Sequence, residues 1–176
     1  MSEISQRLSL GHGLGMLAKS REASVNGVSY GRVVVLWKES IASFKKVEIP
    51  NLQGFEILVA AGSIRGHSRK LLVLACYIPP SLTRQKGIAA LDHITDTIVG
   101  LKRRFKDPYL VVVGDFNQWS IAIALADFPD IREAAVGPTR GRRSIDWLFM
   151  DMSRSITESG TLAPLETEEE GEEKRI

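Results

Sequence analysis

The stretch Tyr109-Leu110-Val111-Val112-Val113-Gly114-Asp115-Phe116-Asn117 constrains this chain most. Val111 to Val113 are β-branched and uninterrupted by polar residues, which predicts a strand buried on both faces. Gly114 permits a sharp exit and close backbone approach. Asp115 and Asn117 are two residues apart, so in extended chain their side chains point to the same side. A carboxylate and an amide converging at a strand end can hold a divalent cation, or a water activated by one, against a phosphate. Gly, Asp and Asn are also the commonest turn residues, so a strand followed by an ordinary turn is the plain alternative.

The rest of the chain builds a layered domain around that strand. Val33 to Trp37, Ala42 to Ile49, Phe55 to Ala61 and Leu71 to Ile78 read as four strands. Their short connections predict antiparallel neighbours, and Pro79-Pro80 ends the last one. The period then changes. Ile88, Leu91, Ile94, Ile98, Leu101 and Phe105 recur at three- and four-residue steps and predict a helix over Ser81 to Phe105. Ser81 or Thr83 can cap its start. Lys102, Arg103, Arg104 and Lys106 complement the dipole at its end, and Asp107-Pro108 stops it. Trp119 to Phe128 reads as a short helix, Ile145 to Met150 as a strand and Gly160 to Leu165 as a last short strand. Together these give an α/β (α+β) domain with a largely mixed sheet.

Residues 1 to 26 carry little pattern and read as an irregular segment. Gly11-His12-Gly13-Leu14-Gly15 lacks a preceding strand and a following acidic residue in a βαβ frame, so it is not read as a phosphate loop. The stretch Leu8 to Leu17, broken by glycines, is no signal peptide. No apolar run reaches membrane-span length, so no membrane partner is expected. Cys76 is the only cysteine, which rules out an internal disulfide and suits a reducing, intracellular setting. The segment Glu166 to Ile176 holds six Glu and reads as a disordered acidic tail. Without it, residues 1–165 hold 21 basic and 15 acidic side chains, a net of +6. Such a body suits a polyanion, although routine surface charge explains it equally well.

Five segments, in order, resemble the endonuclease/exonuclease/phosphatase superfamily. They are Gly27-Val28-Ser29-Tyr30-Gly31-Arg32-Val33-Val34, Cys76-Tyr77-Ile78-Pro79-Pro80, Gly114-Asp115-Phe116-Asn117-Gln118-Trp119, Pro138-Thr139-Arg140 and Ser144-Ile145-Asp146. The wording is most similar to the apurinic-type endonuclease domain of non-LTR (LINE-type) retrotransposons and covers roughly residues 27 to 165. The resemblance implies an incomplete four-layer α/β sandwich, two packed mixed sheets flanked by helices, with the active site at one rim. It implies hydrolysis of a phosphodiester with Mg²⁺ or Mn²⁺, DNA nicking in particular. Asp115 would orient or deprotonate the attacking water and bind metal. Asn117 would help hold phosphate or metal, and Tyr77 would place its hydroxyl on the scissile phosphate. Asp146 would orient a catalytic histidine. Arg140, Arg142 and Arg143 would contact DNA phosphates. Implied partners are DNA and the rest of a retroelement polyprotein that includes a reverse transcriptase; the implied location is the nucleus.

Two of the family's parts have no counterpart: an opening strand with an active-site Asn and a metal-binding Glu, and a closing Ser-Asp-His segment. Impaired hydrolysis is therefore expected, because losing an acid or base costs about 10²–10⁴-fold. A non-catalytic nucleic-acid-binding module, using Lys102 to Lys106 and Arg140 to Arg143, is the alternative. A small-molecule or lipid phosphatase is a third reading.

Overall fold

The computed structural model describes residues 13–20, 32–134 and 146–151. The Gly160 to Leu165 strand and the acidic tail lie outside these. The described residues form eight strands and two helices in two sheets.

The larger sheet is built from β3 (Ala42–Val47), β4 (Glu56–Ile64), β5 (Lys70–Tyr77), β6 (Tyr109–Asp115), β7 (Arg132–Glu133) and β8 (Asp146–Met150). Its order is β3-β4-β5-β6-β8-β7. Only the β5–β6 pair is parallel. It is parallel because α1 (Arg84–Arg104) carries the chain back to the start of the sheet, as parallel neighbours require. Thr83 caps α1, its side chain accepting from the Lys86 N–H at 3.5 Å. The helix buries Ala90, Leu91, Ile94, Ile98 and Leu101 on the sheet. Ile88, expected on that face, is 48% exposed; its neighbour Gly87 faces inward instead, beneath the Trp119 ring. The predicted helix over Trp119 to Phe128 shrinks to one turn, α2 (Ile121–Ala124). In this stretch Ile121, Ala124 and Leu125 are buried and Trp119 and Phe128 pack partly on the core, but Ile123 is 72% exposed.

The smaller sheet departs from the sequence reading. β1 (Leu14–Ser20) lies inside the segment read as irregular and pairs antiparallel with β2 (Arg32–Lys38). The four strands beginning at Val33 therefore do not form one run. β3, β4 and β5 are antiparallel neighbours, but β2 turns away to the second sheet. The physical reason is the burial of one β1–β2 face: Leu17, Val33 and Trp37 pack on Leu58, Ala60 and Ala75 of the larger sheet. Gly15 serves this packing, since a Cβ there would stand 2.2 Å from the Trp37 indole. The glycine pattern thus makes room for an aromatic ring. The two-stranded sheet is purely antiparallel; the six-stranded one is the mixed sheet.

Three layers are therefore described: β1–β2, the six-stranded sheet, and α1 with α2. The main core lies between sheet and helix, where Leu72, Leu74, Ile94, Ile98, Leu110 and Val112 are fully enclosed. Val111 and Val113 face the smaller sheet and are only half-buried, contrary to the expectation of burial on both faces. Two strands do not cover six.

Cys76 sits in the main core, where burial raises its thiol from 9.0 to about 12. Burial favours the neutral thiol, so the folded pKa lies above the unfolded one. The stability this contributes is complete below pH 9.0 and is lost as pH rises toward about 12. Urea unfolding at stepped alkaline pH should show that decline, and Cys76→Ala should flatten it. The native thiol should also resist alkylation at about pH 8, where an exposed thiol is partly ionised.

Candidate active site

β5 and β6 run in parallel and end together, which places their last residues at one rim. The register sets Tyr77 beside Asp115. Asp115 in turn lies directly opposite Asp146 on β8. On the other side, Tyr77 lies opposite Glu56, the first residue of β4. Directly opposed residues share a face of the sheet. Glu56, Tyr77, Asp115 and Asp146 therefore form one row across four strands, on the face that meets β1–β2. A cleft of about 270 Å³ opens there, lined by Val33, Val34, Tyr77, Gly114 and Asp115 among others.

The connection after β6 is held tightly. The Ile78 N–H donates to the Asp115 carbonyl at 2.9 Å, which extends the β5–β6 pairing past the strand ends. The chain then bends, and Asn117 adopts a left-handed conformation with φ 49°. Asn is among the few residues that tolerate this. The expected extended geometry from Asp115 to Asn117 is thus replaced by a turn, in which the Asn117 N–H donates to Asp115 Oδ1 at 3.0 Å. The Asn117 amide nitrogen donates to the Ile78 carbonyl at 2.9 Å. Since a carbonyl only accepts, that bond fixes the amide orientation and leaves Oδ1 as the side chain's acceptor. Gln118 Nε2 donates to the Pro80 carbonyl at 2.7 Å, fastening the two rim loops together. Trp119 anchors the turn from below by lying over Gly87 of α1, where a Cβ would be 2.1 Å from the indole.

The structure thus brings Tyr77, Asp115, Asn117 and Asp146 to one rim. Asp146 is exposed, while Tyr77, Asp115 and Asn117 are half-buried. Arg140, Arg142 and Arg143 lie outside the described residues. His67 sits in the β4–β5 turn, and His93 lies on α1 with its ring edge-on to Phe55 at 5.6 Å. Lys102 to Lys106 end α1 at the opposite pole, away from the rim.

Glu56 is the residue that sequence reasoning missed. It is 2% exposed, in a strand whose same-face neighbours are Leu58 and Ala60. Burying a carboxyl group is costly, so packing alone would favour an apolar side chain there. The signal available in the sequence was one acidic residue inside the apolar run Phe55 to Ala61.

The rim's donors are oxygens, which suit a hard divalent cation. Among the described residues no group of three His, Cys, Asp or Glu side chains is arranged to hold a metal. Any ion there would take its remaining ligands from water and substrate, which is how Mg²⁺ is commonly held.

This architecture is the α+β sandwich of endonuclease/exonuclease/phosphatase proteins. A family member from Bacteroides thetaiotaomicron superposes with a TM-score of 0.61 at 12% identity, over 78% of this chain and 61% of that one. A mannosyl-6-phosphatase of the same organism gives 0.61 at 10% identity, over 79% and 63%. The human Nocturnin catalytic domain, solved with bound sulfate, gives 0.57 at 10% identity, over 77% and 60%. The chain therefore spans about three-fifths of the length of these structures. No family model matches the sequence, and no curated protein matches it. At these identities the likeness is one of fold. Among the described residues no helix is long and apolar enough to cross a membrane.

Proposed function

We propose that the rim is a phosphodiester hydrolase site of the retrotransposon-endonuclease type that nicks DNA. The observation that carries this reading is the register row, which sets Tyr77, Asp115 and Asp146 side by side on adjacent strands. Asp115 accepts the proton of the attacking water. The Tyr77 hydroxyl donates to a non-bridging phosphate oxygen and stabilises charge that grows in the transition state. The Asn117 turn holds the Asp115 carboxylate in place through its N–H. Asp146 lies across from Asp115; neither His67 nor His93 stands at the rim for it to orient, so water protonates the leaving oxygen. A Mg²⁺ or Mn²⁺ ion held by Asp115 and Asn117 Oδ1 would neutralise phosphoryl charge.

Several features support this reading beside the row. The sandwich fold is shared with hydrolases, and the motif wording around Asp115 and Ser144-Ile145-Asp146 is that of LINE-type domains. DNA is then the substrate, the polyprotein carrying a reverse transcriptase is the natural context, and the nucleus is the place of action. Turnover by this chain alone is expected to be low, given the sparse ligand set.

Supercoiled plasmid is the test substrate. Purified chain should relax it slowly with Mg²⁺ or Mn²⁺ and not with chelator. Cleavage that persists in chelator would refute the reading. Release of phosphate from a sugar phosphate or phosphoinositide, with intact plasmid, would favour the phosphatase alternative.

A further inference from the structure

The pole opposite the rim gathers cations from two separate segments. The β4–β5 turn supplies Arg65, and the end of α1 with its exit loop supplies Lys102, Arg103, Arg104 and Lys106. Arg65, Arg103, Arg104 and Lys106 are exposed, and Lys102 is half-buried. Among the described residues none of these five makes an ion pair. Two are steadied by rings instead: Lys102 Nζ lies 5.4 Å from the Phe128 centroid and the Arg104 guanidinium 5.5 Å from that of Phe105.

Arg69 locks the two segments together. Its Nε donates to the Asp107 carbonyl at 2.7 Å, and its Nη2 donates to Asp107 Oδ1 at 2.9 Å and to the Pro108 carbonyl at 3.2 Å. Its guanidinium also stacks on Tyr109 at 3.9 Å. The bond to Arg69 occupies Asp107, and Asp151 Oδ1 accepts the Leu110 N–H at 2.8 Å. These acids, with Asp130, line a polar cleft of about 690 Å³ beside Lys102. The helix dipole accounts for cations in the last turn of α1. It does not account for Arg65, which comes from another segment, nor for Lys106, which lies beyond the helix.

We propose that this pole is a second nucleic-acid surface, separate from the rim, that takes phosphate backbone without reading bases. β6 separates the two, and its seven residues span roughly 23 Å at about 3.3 Å each. A strand seated in the rim cleft therefore does not cover the pole. The choice of nucleic acid over another polyanion rests on the proposed DNA-nicking function; the surface itself does not require catalysis. Backbone phosphates supply the closely spaced charge that five cations on one pole match.

The test is anisotropy of a fluorescent DNA duplex with the full chain, in chelator, from about 50 to about 200 mM KCl. Two variants are compared with the parent chain. One carries Lys102→Ala, Arg103→Ala and Arg104→Ala; the other carries Arg65→Ala and Lys106→Ala, which leaves the helix untouched. Each should flatten the plot of log affinity against log salt by about 0.9 for every phosphate that is no longer neutralised. Nicking of plasmid with Mg²⁺ is measured separately on both variants, so failure of nicking and failure of this surface are read separately. Unchanged slopes in both variants would overturn the proposal. A change in the helix variant alone would also overturn it, because the surface would then not be composite. Displacement of DNA by a polyglutamate peptide at equal charge would reassign the pole to an acidic protein segment.

Discussion

Asp115→Ala should abolish metal-dependent nicking of plasmid, a loss of about 10²–10⁴-fold or more, while the chain stays folded. The residue is the last of β6, and its main chain goes on pairing whatever its side chain. Part of the structural cost is a lost acceptor, because the Asn117 N–H loses Asp115 Oδ1. That is worth about 1 kcal/mol. Asp115→Asn separates the two roles. It keeps an oxygen for the Asn117 N–H and removes the charge. Both variants should be inactive if the carboxylate takes a proton or holds a cation. Activity in Asp115→Asn alone would reduce the side chain to an anchor of the turn. Circular dichroism and thermal melts on each variant exclude unfolding as the cause.

Gly114→Ala should destabilise the fold strongly where Asp115→Ala does not. A Cβ at Gly114 would stand 1.9 Å from the Cys76 carbonyl oxygen and 2.7 Å from its carbon. Those are backbone atoms of the paired strand, so neither side can yield by rotating a side chain. Relief requires β5 and β6 to separate at the point where the rim is assembled. Overpacking of this kind costs roughly 3 kcal/mol or more. That is a large part of the roughly 5–15 kcal/mol typical of a domain. For a chain of this size it lowers the melting temperature by roughly 6–12 °C. Nicking should fall with it, since Tyr77 and Asp115 face each other across the same pair of strands. A Gly114→Ala chain that melts like the parent would mean the strands do not approach this closely.

The two variants differ in what a sequence can reveal. Local periodicity was legible throughout β4, β5, α1 and β6, because a strand of period two and a helix of period 3.6 write themselves into neighbouring residues. Asp115, Asn117 and Tyr77 were legible as site candidates because they sit where apolar runs break off. β1 was not, since its alternation is masked by Gly15, which yields its side-chain space to Trp37. The one-turn α2 was overestimated, because an apolar stretch there is buried at a few positions only.

Register lay beyond reach. Nothing near Phe55-Glu56-Ile57 says that Glu56 will face Tyr77, or that Asp146 will face Asp115 from 31 residues downstream. A slip of one residue would turn either side chain to the other face of the sheet. The sequence by itself determined most of the elements, the turn chemistry after Gly114 and the chemical kinds of residue at the strand ends. Only the tertiary structure decided which strands are neighbours, that β2 leaves for a second sheet, and that four side chains share one row. Pairing of distant segments is selected by the burial of whole faces, and no local stretch of chain contains that information.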